Sequence, residues 1–92
     1  MDRIERITNL VREELQQELQ DYHHFTSAHE GLSIICERTD QLRELVRRHK
    51  HMQAFLLAKQ LAAVSMRFMI DVEDKHLGPW HKVPPPSYRG AA

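Results

Sequence analysis

Apolar residues recur at Ile4, Ile7, Val11, Leu15 and Leu19, within a stretch from Asp2 to Tyr22 that holds no Gly or Pro. Spacings of three and four keep these side chains on one stripe of a helix, with Glu, Arg and Gln on the opposite face. Asp2 is positioned to cap that helix by accepting hydrogen bonds from the free amides of its first turn. His23, His24 and Phe25 break the pattern and read as a short connection. Ser27-Ala28-His29-Glu30 then has the spacing of a capping box, in which each of the two outer side chains satisfies the other residue's backbone amide, so a second helix begins at Ser27. Its stripe is Leu32, Ile35, Thr39, Leu42 and Val46, widened by Ile34, Cys36 and Leu45. It runs out in the basic cluster from Arg47 to His51, where cations offset the negative end of the helix dipole.

A third segment, Met52 to about Asp74, carries only Lys59 and Arg67 as charges before Asp71. Phe55, Leu56, Leu57, Leu61, Val64, Phe68 and Met69 cover most of its circumference, which suits a helix central to a bundle or lying in an oligomer interface. Asp71, Glu73 and Asp74 are expected on its solvated end. With no Gly or Pro before it, a short turn near His49 to Gln53 giving an antiparallel pair is the expectation, and one continuous helix is the alternative. The pattern therefore predicts an all-α fold, a helical hairpin or bundle of three main helices at about 2–22, 27–49 and 52–74. These form one domain over residues 1–75. Gly78-Pro79 and Pro84-Pro85-Pro86 predict a Pro-rich, irregular C-terminal tail over 76–92.

Composition sharpens this picture in three ways. A chain of 92 residues buries only about 60% of its unfolded surface, so a core completed between copies, as a homodimer or higher homo-oligomer, is expected. Thirteen Lys and Arg against thirteen Asp and Glu remove the usual electrostatic reason to expect nucleic acid or an anionic membrane as partner. The single Cys36, flanked by Ile34 and Ile35, reads as a packed thiol in a reducing compartment; the absence of any long apolar run makes the cytoplasm the expected location. The seven histidines offer no pair at the spacing of four that puts two imidazoles on one helix face, so no metal ligand set is read from them. Ser65 and Cys36 have no base at a readable spacing, so no catalytic nucleophile is assigned.

Phe25-Thr26-Ser27-Ala28-His29-Glu30-Gly31, Cys36-Glu37-Arg38-Thr39-Asp40-Gln41-Leu42 and Lys59 to Phe68 together resemble small MazG-like proteins of bacteria and phages, over about residues 25–72. The resemblance implies an all-α fold in a group of nucleoside triphosphate pyrophosphohydrolases that dimerise or tetramerise and cleave between the α and β phosphates with magnesium. It implies Glu-x-x-Glu on one helix and Glu-x-x-Asp on the next, because a spacing of three puts two carboxylates on one face to hold the metal. Matched residue by residue, those positions are Arg38 and Gln41, then Leu57 and Gln60, so all four carboxylates are replaced. Glu37, Asp40 and Glu44 share a helical face, yet no acidic residue lies between Glu44 and Asp71 to answer them from the third helix.

The expectation is thus a divergent, catalytically inactive MazG-like protein with no cofactor, acting by binding a nucleotide or a protein partner. Its candidate ligand-binding residues are His29, Glu30, Glu37, Arg38, Asp40, Gln41, Glu44 and Gln60. A magnesium-dependent pyrophosphohydrolase using Glu37, Asp40 or Glu44 and a purely structural helical dimer are the alternatives.

Overall fold

Three α-helices make up residues 2–74, the span that the computed structural model describes: α1 (Arg3–Asp21), α2 (Ala28–Arg47) and α3 (His51–Glu73). The expected all-α fold is present, and no strand occurs among the described residues. The Pro-rich tail expected over 76–92 lies outside them. Asp2 Oδ1 accepts the Glu5 amide at 2.7 Å to start α1, and Ser27 Oγ accepts the Glu30 amide at 3.1 Å to start α2.

The basic cluster forms a turn, and the continuous-helix alternative is excluded. His49 sits in the left-handed region at φ 58°, its amide bonds to Val46 O at 3.0 Å, and the Lys50 amide bonds to Leu45 O at 2.9 Å. These two bonds satisfy carbonyls left over at the end of α2 and reverse the chain in three residues. α2 and α3 consequently pack as an antiparallel hairpin. α1 also packs along α3, and it meets α2 through the Glu18–Arg38 ion pair at 3.2 Å rather than by close backbone packing. Lys59 reaches Glu14 at 3.5 Å and Arg67 reaches Glu18 at 3.0 Å, so α1 runs in the same direction as α3. α3 is the central helix, one of the two roles its apolar circumference allows.

Among the described residues, the buried apolar side chains are Leu15, Phe25, Ala54, Leu57, Ala63 and Val64. Gly31, on the second turn of α2, admits the rings beneath it, because a Cβ there would lie 2.5 Å from Phe68 Cδ1 and 3.2 Å from Phe25 Cδ2. Overpacking of this kind costs about 1–3 kcal/mol, against which alanine's better helix propensity returns somewhat under ~1 kcal/mol. Gly31→Ala is therefore expected to lower stability modestly and Gly31→Val more steeply, read as a falling urea midpoint. An unchanged midpoint for Gly31→Val would show that the rings yield freely.

The tertiary packing departs from the sequence pattern at several positions. Leu32 and Val46 of the expected α2 stripe are 54% and 52% exposed, and Cys36 is exposed rather than packed. The side of α2 turned to α3 runs through Gly31, Ile35, Arg38, Leu42 and Leu45, and Cys36 stands about 100° round the helix from Ile35. In α1, Ile4 is 79% exposed, whereas Glu18, expected on the polar face, is buried. Asp71, expected on a solvated helix end, is fully buried. No helix among the described residues is long and apolar enough to cross a membrane.

Candidate functional site

Near the hairpin turn, α2 and α3 diverge enough to leave an open groove of about 520 Å³. Leu45, Leu56 and Leu57 supply its apolar surface, and the amides of Gln41, Gln53 and Gln60 line it alongside Glu44, Arg48 and Lys50. Helical spacing explains the convergence. Gln41, Glu44, Leu45 and Arg48 follow one another at intervals of three, one and three on α2; Gln53, Leu56, Leu57 and Gln60 do the same on α3. Antiparallel pairing then brings the two sets face to face. Glu44 is already held by cations, with Arg48 Nε at 2.6 Å and Arg47 Nη1 at 3.2 Å.

Deeper along the same seam lies a charged network that ties every element together. Glu18 of α1 accepts from Arg67 Nη1 of α3 at 3.0 Å and from Arg38 Nη1 of α2 at 3.2 Å. Arg38 Nη1 also lies 3.4 Å from the Gln60 carbonyl. The Arg67 guanidinium stacks 3.9 Å from the centroid of the Phe25 ring and 5.4 Å from that of Tyr22, while its buried Nε has no hydrogen-bond partner. Stacking on ring faces offsets part of the cost of burying that cation. Asp71 closes the network by accepting the Phe25 amide at 2.9 Å and contacting His24 Nδ1 at 2.6 Å.

The candidate residues are distributed between these two regions and the surface. Gln41, Glu44 and Gln60 line the groove. Arg38 lies beneath it in the network. Glu37 and Asp40 are exposed, and Asp40 pairs with Arg43 at 2.8 Å. Among the described residues no three His, Cys, Asp or Glu side chains come together to hold a metal ion. His29 is exposed on the first turn of α2, away from the groove lining.

Glu30 works as a cap, reaching one residue beyond the expected partner: its Oε1 accepts the Thr26 amide at 2.7 Å and the Thr26 hydroxyl at 3.2 Å. The Thr26 amide, above all, holds the Glu30 carboxyl below its ordinary value; desolvation opposes this, and the Thr26 hydroxyl, His23 and Arg67 add to the lowering. A depressed folded value means that this stabilisation is complete above the ordinary glutamate range and disappears as pH falls through the lowered folded value. The stability difference between the parent and Glu30→Gln is therefore expected to be greatest near neutrality and to shrink in acid, measured by urea unfolding across pH. A difference independent of pH would refute this role.

Sequence reasoning missed Glu18, His24 and Asp71 as network members. One signal was available: Arg67 is one of only two charges in the apolar helical run before Asp71, and a buried guanidinium demands a carboxylate. Comparison with protein-family models, with curated proteins and with solved structures finds no match to this chain.

Proposed function

We propose that this chain is a divergent MazG-like helical protein that acts by binding rather than by catalysis, with the α2–α3 groove as its ligand site and a nucleotide as the ligand class. The observation that carries the reading is the fate of the four positions where the resemblance implies metal-binding carboxylates. Gln41, Leu57 and Gln60 line one groove, and Arg38 lies against the Gln60 carbonyl. Four positions from two helices thus meet along one seam, without a carboxylate among them. The groove's donor set does not fit magnesium, which takes hard anionic oxygens in near-octahedral array. Its one carboxylate, Glu44, already neutralises two guanidinium groups. Arg38 adds positive charge where a cation would have to sit.

The same set fits an anion with an apolar part. Lys50 at the turn end supplies a cation for a phosphate, which competes with Glu44 for Arg48; the glutamine amides supply donors and acceptors, and Leu45, Leu56 and Leu57 offer surface to a base.

Thermal unfolding with nucleoside mono-, di- and triphosphates, with and without magnesium, tests this. A ligand binding only the folded state at one hundred times its Kd adds about 2.7 kcal/mol, which in a domain of this size raises Tm by roughly 10 °C or more. The expected result is a magnesium-independent rise that Arg48→Ala with Lys50→Ala abolishes. Magnesium-dependent release of pyrophosphate from a triphosphate would instead establish the enzyme alternative. No shift with any nucleotide would reject the groove as a nucleotide site.

A further inference from the structure

Where α1 ends, a second cavity of about 270 Å³ is lined by Leu19, Tyr22, His23, His24 and Arg67, and it shares no lining residue with the α2–α3 groove. The guanidinium of Arg67 is incompletely bonded there. The rings of Phe25 and Tyr22 stack on it, so its edge is what remains for hydrogen bonds. On that edge Nη1 donates to Glu18 at 3.0 Å, whereas Nε, in a residue only 6% exposed, has no acceptor among the described residues. Buried N–H groups in folded proteins are as a rule paired, whether by protein, by water or by a bound group. Charge points the same way. Glu18 is shared by Arg38 and Arg67, so two guanidinium groups have one carboxylate between them. The other carboxylates nearby are engaged elsewhere: Asp71 by the Phe25 amide and His24, Glu30 by Thr26, and Asp21 by the Gln17 amide. His23 Nδ1 lies 2.6 Å from the His24 carbonyl and His24 Nδ1 lies 2.6 Å from Asp71. An oxygen acceptor in each case assigns the proton to Nδ1 and holds both imidazoles at the cavity.

We propose that this cavity binds a small oxyanion, a carboxylate or phosphate group, with Arg67 Nε–H donating to one of its oxygens and Leu19 and Tyr22 covering its apolar part. The edge of a guanidinium matches the oxygens of either group. A metal ion is disfavoured, because the Arg67 cation would stand beside it and no three His, Cys, Asp or Glu side chains meet among the described residues. Occupancy here is independent of the α2–α3 groove, since the two have no lining residue in common.

Nitrogen-15 NMR of the full chain, following the arginine Nε–H signals, tests the site directly. Inorganic phosphate and acetate are titrated at constant ionic strength, with chloride and the neutral acetamide as controls. The expected result is a saturable shift of the Arg67 Nε–H signal with a Kd of about 1 mM or tighter, produced by an oxyanion and by neither control. Tighter binding of phosphate assigns a phosphoryl ligand, and tighter binding of acetate a carboxylate. Leu19, 41% exposed at the cavity wall, can be changed without opening the core. Leu19→Glu is expected to raise the Kd by about tenfold or more through repulsion of the anion, and Leu19→Lys to leave it unchanged or lower it, both with the parent's helical circular dichroism. Arg48→Ala with Lys50→Ala, which strips cations from the groove, is expected to leave this Kd unchanged. No saturable shift with either oxyanion, or an equal shift with chloride, overturns the proposal. So does a shift that Leu19→Glu leaves intact and the groove variant abolishes, which would place the anion in the groove.

Discussion

Glu18→Leu is expected to cost about 3–5 kcal/mol, because it leaves the Arg67 guanidinium buried without its carboxylate. Arg67 is 6% exposed and Glu18 3% exposed, and the same carboxylate also carries the ion pair to Arg38. Domains of this kind are stable by only about 5–15 kcal/mol in total, so the variant should be largely unfolded well below the parent's midpoint. Urea unfolding followed by circular dichroism measures the difference. The cost belongs to the orphaned cations rather than to the loss of an attractive pair, since removing two charges from water offsets most of their attraction. Replacing all three groups, as Glu18→Leu with Arg38→Met and Arg67→Met, should therefore recover most of the loss. A Glu18→Leu protein within about 1 kcal/mol of the parent would mean that the guanidinium groups find water or another acceptor.

Phe25→Ala is the second large effect, expected at about 3–5 kcal/mol by the usual cost of emptying a buried aromatic site. Phe25 is 2% exposed and sits in the connection between α1 and α2, yet it joins several parts of the core. Its ring lies 6.5 Å from the Phe68 centroid, against Gly31, and beneath the Arg67 guanidinium. Its amide is anchored by the fully buried Asp71. Phe25→Leu should retain much of the volume and lose the ring face under Arg67, giving a smaller drop. Thermal unfolding of the two variants separates packing from stacking: equal losses would assign the whole effect to the aromatic face.

The candidate site was legible in part. Gln41, Glu44 and Gln60 meet in the groove because each follows a helical interval that can be counted along the chain. The hairpin was foreseen, but its reversal at Arg48 to Lys50 depends on the left-handed backbone of His49, and no Gly or Asn announces it. Cys36 and Leu32 were misassigned for a different reason. A band of apolar residues wider than the contact with one neighbour contains more candidates than the core can hold, and α2 packs its backbone closely against one helix, α3.

The sequence by itself determined the local structure: where α1 and α2 begin, through Asp2 and Ser27 as caps, and that the third segment is a helix apolar round most of its circumference, while its central place among the three came from the tertiary contacts. The helix starts and the apolar helix follow from interactions within a few residues, which spacing and capping chemistry specify directly. Only the tertiary structure decided which polar residues are interior. Glu18 and Asp71 look like solvated acids in a one-dimensional pattern, and they are buried because Arg67 and Arg38 arrive from helices 20 or more residues away to neutralise Glu18, while the Phe25 amide and His24 meet Asp71. Burial of a charge depends on a partner delivered by the fold, and periodicity along a single helix carries no information about that partner.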